Sequence, residues 1–144
     1  MKKNGSFDLE RFLNAQAADY ETALEELREG KKRSHWMWYI FPQLAGLGHS
    51  PMARIYAIQS RDEAVAYLSH PILGQRLREC VETLNGLDGL SVIEILGHVD
   101  SMKLRSSLTL FAHVADDASL YREAIDKYYN GEMDRLTLSL LESD

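Results

Sequence analysis

The stretch SHWMWYIFPQ, residues 34–43, contains both tryptophans of the chain and four aromatic side chains within six residues. A basic run, residues 31–33, precedes it. Both faces of the stretch are apolar, so periodicity does not distinguish helix from strand, but no other segment has the pattern of a pairing strand. Because Pro42 disfavours helix at Phe41, we predict a short buried helix that ends there, with polar edges facing a pocket.

Apolar residues recur at helical spacing on both sides of this stretch. Before it, they predict one short helix around residues 9–13 and a second around residues 20–27, which Gly30 ends. After it, the predicted helices bear apolar residues that include Met52, Ala64, Val65, Leu68, Leu73, Leu77, Cys80, Val81, Leu84, Leu104, Leu108, Phe111, Leu120, Ala124, Ile125, Met133, Leu136, Leu140 and Leu141. Without a linker or repeat, the chain is expected to form an all-α fold, a compact single-domain bundle of about eight short helices over residues 1–144.

Local signals predict where several of these helices begin. Residues 60–63 and 91–94 both have the Ser-x-x-Glu pattern of a capping box, in which each side chain accepts from a backbone amide. Asp100 is placed to be the N-cap of the following helix, and His70, before Pro71, is placed to satisfy a helix end.

Composition excludes several classes of function. The chain has 144 residues with 22 acidic against 16 basic side chains, a net charge of −6, so we expect no binding to a nucleic-acid backbone. The single cysteine, Cys80, excludes an internal disulfide, fits a reducing compartment and is expected to be inert core. No apolar run approaches the roughly 20 residues of a membrane span, and residues 1–5 lack a following signal-peptide core. We therefore expect a soluble cytoplasmic protein without membrane contact.

The helix after Asp100 carries the first candidate site. At about 100° per residue, Lys103 lies between apolar positions on both sides. A partly buried lysine requires an anion, either a ligand or a carboxylate such as Asp100 at i, i+3 spacing, and both alternatives remain open. Ser106, Ser107 and Thr109 supply hydroxyls that are unusual in number inside a helix and predict either a phosphate or sugar site or a solvated surface.

The aromatic stretch supplies the second half of this site. His35 is a candidate acid or base, or a packed side chain with one hydrogen bond. Trp36, Trp38 and Tyr39 are core residues of which one can also stack on a base or sugar ring. The remaining candidate ligand-binding residues follow the stretch, and they are Gln43, Ser50 and Tyr56.

Known catalytic and cofactor motifs are missing from the sequence. It has no P-loop, no dinucleotide-binding glycine pattern and no Gly-x-Ser-x-Gly elbow, and its histidines lack metal-ligand spacing. We expect no metal and no cofactor. Whether the protein is an enzyme is left open, and no feature of the sequence specifies an oligomeric state.

The motif in residues 32–43 and those that follow resemble the uncharacterised family of domain of unknown function 1810. The matching positions also include residues 46–48, 52–53, 56–58, 63–64, 67–68, 70–71, 73–74, 100, 103, 106–107 and 109–111. Here Leu96 stands where the family pattern usually has Phe, and Leu108 where Met is common. The resemblance implies a mainly helical fold and does not assign an activity. Some members carry the label calpastatin, but the sequence has nothing of that inhibitor's disordered repeats.

A looser resemblance is to the NAD- and ADP-ribose-associated domain, whose members cleave N-glycosidic bonds in ribosylated compounds. The shared features are an aromatic-rich N-terminal segment, a helix near a Pro-Gly break and a later lysine-bearing helix. That family's catalytic acidic residues have no matching position in this chain.

Two functions follow from these observations. The first is a small-molecule domain whose polar-aromatic pocket binds or hydrolyses a nucleotide- or ADP-ribose-like ligand. Lys103 would hold an anion, His35 or Asp100 would move a proton, and Trp36 or Trp38 would stack. The second is a non-catalytic protein-interaction module with an exposed aromatic groove.

Overall fold

The computed structural model describes residues 7–143, so the prediction made for residues 1–5 lies outside the described residues. Within that range the fold is all-α, as the sequence predicts, and consists of nine helices. They are α1 Glu10–Glu29, α2 Met37–Ile40, α3 Pro51–Ile55, α4 Arg61–Ser69, α5 Leu73–Asn85, α6 Val92–Leu96, α7 His98–Val114, α8 Ser119–Tyr129 and α9 Arg135–Ser143. None of these helices combines the length and the apolar character that a membrane crossing requires.

The two short helices predicted before the aromatic stretch are wrong, because α1 is one continuous helix of 20 residues. The apolar periodicity is interrupted at Gln16, which lies on the buried face and is 1% exposed. Its amide donates to the Tyr39 carbonyl at 2.7 Å and to the Tyr67 hydroxyl at 3.1 Å. A hydrogen-bonded polar side chain thus occupies a core position and conceals the continuity of the helix.

The aromatic stretch forms the short buried helix α2, as predicted. The helix ends at Phe41, which has the non-helical angles φ −125° and ψ 74°. Trp36, Met37 and Phe41 are each 1% exposed. The residues at both ends of α2 are therefore buried in the core.

Gly30 turns the chain from α1 into the loop that leads to α2. It adopts the left-handed φ of 76°, which glycine accepts without strain, and the Lys31 amide donates to the Glu26 carbonyl at 3.0 Å. The Lys32 amide then donates to the Ile95 carbonyl of α6 at 2.8 Å. The loop is thereby attached to two helices.

Two backbone hydrogen bonds fix the loop after α2. The Ile58 amide donates to the Gln43 carbonyl at 2.8 Å, and the Ala45 amide donates to the Ile58 carbonyl at 2.8 Å. This isolated parallel bridge pairs Leu44 with Ile58 and holds the loop that follows Gln43.

Helix α7 is the central long helix of the C-terminal half and packs against α4, α6, α8 and α9. Its N-cap is Gly97, with φ 86°, so the prediction that Asp100 is the N-cap is wrong. Asp100 lies inside the first turn, where its negative carboxylate still interacts favourably with the positive end of the helix dipole.

Both predicted capping boxes begin real helices, but only the second is complete. The Ser91 and Glu94 side chains form the reciprocal pair. Ser60 accepts from the Glu63 amide at 3.1 Å, while the Glu63 carboxylate accepts from the Gln59 amide at 2.6 Å and pairs with Arg11 at 2.9 Å. The first box is therefore half-formed, because the two oxygens of the Glu63 carboxylate bind the Gln59 amide and Arg11 instead of the Ser60 amide.

Two predicted core positions lie at the surface. Val65 is 44% exposed and Leu136 is 55% exposed, whereas Tyr67 and Thr137 take the inward positions of the same helices at 0%. Leu68 is only partly buried. In both helices a side chain that bears a hydroxyl group takes the core position instead.

Helices α4 and α5 approach closely at Gly74. A Cβ atom at this position would lie 2.1 Å from the Leu68 carbonyl oxygen, well inside van der Waals contact. His70 accepts from the Ile72 and Leu73 amides at 3.1 and 3.3 Å, which confirms the predicted helix-end role of this histidine.

We predict that Gly74→Ala lowers the free energy of unfolding by about 1–3 kcal/mol, because the new methyl group meets a backbone oxygen that cannot rotate away. Gly86→Ala is the matched control, since its Cβ would meet nothing nearer than 3.5 Å and its φ is −84°. Urea unfolding of both variants checks the prediction. Equal stability of the two variants would contradict it.

Candidate functional site

Lys103 lies on α7 beside Asp100 and Trp38. Its ammonium is 3.6 Å from Asp100 Oδ1 and 5.1 Å from the centroid of the Trp38 ring. The side chain is 24% exposed. The pairing with Asp100 that the spacing allows is therefore present, and a cation–π contact with Trp38 is added to it.

Lys32, in the loop after α1, binds the other oxygen of Asp100. Its ammonium is 2.9 Å from Asp100 Oδ2 and 5.0 Å from the centroid of the Trp36 ring, and its side chain is 9% exposed. Within residues 7–143, Asp100 is the one carboxylate within 4 Å of either ammonium. Two lysines thus share one aspartate.

We call these five residues, Lys32, Trp36, Trp38, Asp100 and Lys103, the lysine–tryptophan cluster. It joins the segment after α1 to the first turn of α7, as the sequence hypothesis requires. Sequence reasoning did not select Lys32. The basic run before the tryptophans was the available signal, but nothing local indicated that Lys32 would point inward while its neighbours Lys31 and Arg33 are exposed.

Glu26 of α1 holds the loop that carries Lys32, and it was also missed. Its carboxylate accepts from the Ser34 hydroxyl at 2.6 Å, the Arg33 and Ser34 amides at 2.8 and 3.1 Å, and Trp36 Nε1 at 2.9 Å. Burial opposes ionisation, but these four donors outweigh it and lower the pKa of Glu26 from 4.5 to about 2. The tryptophan segment is thus attached to α1 through a buried carboxylate.

A cleft of about 700 Å³ opens next to the lysine–tryptophan cluster, between the loop after Gln43 and helices α6, α7 and α9. Lys103 belongs to both the cluster and the cleft wall. The complete lining comprises Gln43, Leu47, Gly48, Val92, Ile93, His98, Val99, Ser101, Met102, Lys103, Arg105, Ser106, Tyr129, Asp134 and Leu136. The wall is mainly aliphatic, and Tyr129 is its one aromatic side chain.

The three hydroxyls of α7 that the sequence singled out, those of Ser106, Ser107 and Thr109, do not act together. Ser106 lines the cleft and donates to the Met102 carbonyl at 3.2 Å. Thr109 is fully buried, donates to the Arg105 carbonyl at 2.8 Å and accepts from the Asp134 amide at 2.9 Å. Ser107 is 1% exposed, and its hydroxyl has no hydrogen-bond partner in the described part of the chain. Of the three, only Ser106 faces the cleft.

Neither tryptophan lines the cleft. Trp36 is 1% exposed beneath Lys32, and Trp38 is partly exposed beneath Lys103. The rings therefore support the two ammonium groups from below, and the wall that was expected to be aromatic is aliphatic.

Four other predicted residues lie away from the cleft. The Tyr39 hydroxyl donates to Asp19, and its ring contacts that of Tyr56 at 5.1 Å. Ser50 caps α3 by accepting from the Ala53 amide at 3.1 Å. The side chain of His35 is exposed, and none of these four belongs to the cleft lining.

Cys80 is fully buried on α5, as expected for a core thiol. Burial is the main reason why the pKa of this thiol rises to about 12, so it remains protonated at neutral pH. Among residues 7–143, no three His, Cys, Asp or Glu side chains are grouped so that they could hold a metal ion.

With this geometry in place, comparison with known proteins gives the family. The model of a family described as a protein of unknown function, DUF1810, matches residues 6–141. The chain belongs to the DUF1810 family. It is also similar to a solved structure, that of the conserved hypothetical protein Rv1873 from Mycobacterium tuberculosis. The two chains share 51% identity with a TM-score of 0.93, over 94% of this chain and 97% of the other. The search of curated proteins found no match. The DUF1810 description assigns no activity to the cleft.

We predict that Glu26→Gln lowers the free energy of unfolding at pH 7 by about 1–3 kcal/mol, because a neutral amide cannot replace the carboxylate in all four of its hydrogen bonds. A depressed pKa stabilises the fold above the ordinary value of 4.5, and this contribution disappears as the pH falls towards about 2. The difference in stability between wild type and variant should therefore shrink below about pH 4.5. Chemical unfolding of both proteins between pH 7 and pH 2.5 measures it, and a difference that does not change with pH would refute the assignment.

We predict that the two tryptophans differ in their accessibility to acrylamide. In Trp38→Phe the one remaining tryptophan is the buried Trp36, so the Stern–Volmer constant of the tryptophan emission should fall clearly below that of wild type. The unfolded variant in urea is the control and should regain full quenching. An unchanged constant in the folded variant would mean that Trp36 is open to solvent.

Proposed function

We propose that the cleft binds a small anionic molecule whose negative group is held by Lys103. The observation that carries this proposal is the sharing of Asp100. Because one carboxylate faces two ammonium groups, the trio has a net charge of +1, and Lys103 presents this charge at the cleft wall.

The geometry also indicates which lysine is available to a ligand. Lys32 has the shorter contact with Asp100 and is nearly buried, whereas Lys103 is farther from the carboxylate and more exposed. The Trp38 ring supports the Lys103 ammonium, which limits its freedom before a ligand arrives. An incoming anion would thus complete the ion pairing of Lys103 without displacing Lys32.

The proposed ligand class is nucleotide- or ADP-ribose-like, and two features support it. The cleft volume of about 700 Å³ lies within the range that is usual for small-molecule sites. Arg105 and His98 line the same cleft as Lys103, and together these side chains provide several donors for phosphate oxygens. The looser resemblance found in the sequence points to the same class.

Binding is better supported than hydrolysis. Of the three proposed catalytic residues, Lys103 lines the cleft, Asp100 is engaged by two lysines, and His35 lies outside the lining. In the hydrolytic form of the proposal, Lys103 holds the anionic group and Asp100 is the group that moves a proton. The reaction in this form is cleavage of a glycosidic or phosphoester bond, and it requires a test of its own beside the test of binding.

The alternative of a protein-interaction module predicted an exposed aromatic groove. Trp36 is 1% exposed and Tyr39 is 5% exposed, so these rings do not form one. The apolar side chains that are exposed beside the cleft are aliphatic.

We predict that ADP-ribose, AMP or ribose 5-phosphate binds the wild-type protein and that Lys103→Met weakens binding roughly ten- to a hundredfold, because a charge-assisted contact is lost. Methionine keeps an apolar side chain over Trp38, and Asp100 keeps Lys32, so the fold should survive. Lys31→Met, on an exposed neighbour, is the matched control.

Isothermal titration measures affinity, and product analysis after incubation measures cleavage. Absence of binding by all three compounds, or equal binding by Lys103→Met and wild type, would overturn the proposal. Binding without product formation would support the binding function and remove the hydrolytic form.

A further inference from the structure

Four exposed aliphatic side chains converge on the same cleft. They are Ile93 of α6, Val99 and Met102 of α7, and Leu136 of α9, and they are 53%, 64%, 60% and 55% exposed. In the described part of the chain eight large apolar side chains are exposed, so half of them lie around this one opening. Apolar surface concentrated in this way marks a binding site more often than an inert surface.

The charged side chains of the cleft are mainly basic. Lys103 and Arg105 line it, and within residues 7–143 no carboxylate lies within 4 Å of the Arg105 guanidinium. The one acidic residue of the lining is Asp134, whose carboxylate accepts from the Thr137 amide at 3.0 Å and from its hydroxyl at 2.6 Å. A basic, apolar opening therefore exists on a chain whose net charge is −6.

Aromatic side chains contribute little to the apolar surface of the cleft. Tyr129 is the one Phe, Tyr or Trp ring of the lining. The Arg105 guanidinium lies 5.9 Å from the centroid of this ring, and the Tyr129 hydroxyl donates to the Ser101 carbonyl at 2.5 Å. The surface that remains to contact a ligand is the aliphatic surface of α6, α7 and α9. Such a surface suits the burial of a flexible hydrocarbon chain.

We infer that the ligand is an amphipathic anion, a molecule in which an aliphatic chain carries a carboxylate or phosphate group. The head group contacts Lys103 and Arg105, and the chain covers Met102, Val99 and Leu136. This inference rests on the proposed function for the anion at Lys103 and adds the aliphatic portion of the ligand. An acylated nucleotide would agree with both the proposed function and this inference. A fatty-acid anion without a nucleotide would agree with this inference alone.

A series of butyrate, hexanoate, octanoate and decanoate, together with octyl phosphate, tests the inference below the micellar concentration. Titration calorimetry should show affinity rising about three- to fourfold for each added methylene, as expected for burial of a hydrocarbon chain. Neutral 1-octanol should bind more weakly than octanoate in wild type. Lys103→Met should remove this preference.

Met102→Gln and Leu136→Gln should reduce the dependence on chain length. Both residues are exposed, so the substitutions should leave the fold unchanged. Ile72→Gln is the matched control, because Ile72 is 45% exposed at the start of α5 and lies outside the cleft. This control should bind the series as wild type does.

The outcomes separate the two proposals. If nucleotides bind through Lys103 but affinity does not rise with chain length, this inference fails and the proposed function stands. If neither nucleotides nor alkyl anions bind, both fail. If the rise with chain length persists in Met102→Gln and Leu136→Gln, the chains bind elsewhere and the inference is overturned. The inference is also overturned if alkyl anions do not bind and light scattering shows a self-association that Met102→Gln abolishes. In that case the aliphatic surface contacts a second copy of the chain.

Discussion

The buried carboxylate of Glu26 is the interaction on which the arrangement of this molecule depends. An ionised group that is nearly removed from water is tolerated only when donors replace the lost solvation, and here four donors from residues 33–36 do so. These hydrogen bonds fix the path of the chain. The loop after α1 must follow one course, which places Trp36 in the core and turns Lys32 towards α7.

Asp100 makes the corresponding connection from the other side. It lies on the first turn of α7, where a negative charge is favoured, and it binds one lysine from its own helix and one from the distant loop. Cation–π contacts with the rings of Trp36 and Trp38 stabilise the two ammonium groups. The charges that join the loop after α1 to α7 are thus the same charges on which the proposed anion site depends.

The cleft itself combines features that separate positions in the sequence supply. Its floor and walls come from the loop after Gln43 and from α6, α7 and α9, and the parallel bridge between Leu44 and Ile58 fixes that loop. Exposed aliphatic side chains on three different helices contribute to one opening. Their cost in water is offset when a partner covers them, which is why their convergence is interpreted as a binding surface.

The sequence by itself determined the helical class, the buried helix at the tryptophans and the helix starts at Ser60 and Ser91, and it offered the pairing of Lys103 with Asp100 as one of two alternatives. All of these depend on local spacing or on the apolar character of neighbouring residues. Tertiary structure alone decided that Gln16 is a core residue within one long helix, that Glu63 serves Arg11, and that Lys32 and Glu26 belong to the site. For Gln16, Glu63 and Lys32 the physical reason is that partners from distant segments satisfy the polar side chain, and no local pattern records those partners. For Glu26 the donors lie 7–10 residues away, beyond the turn at Gly30, where helical periodicity no longer applies.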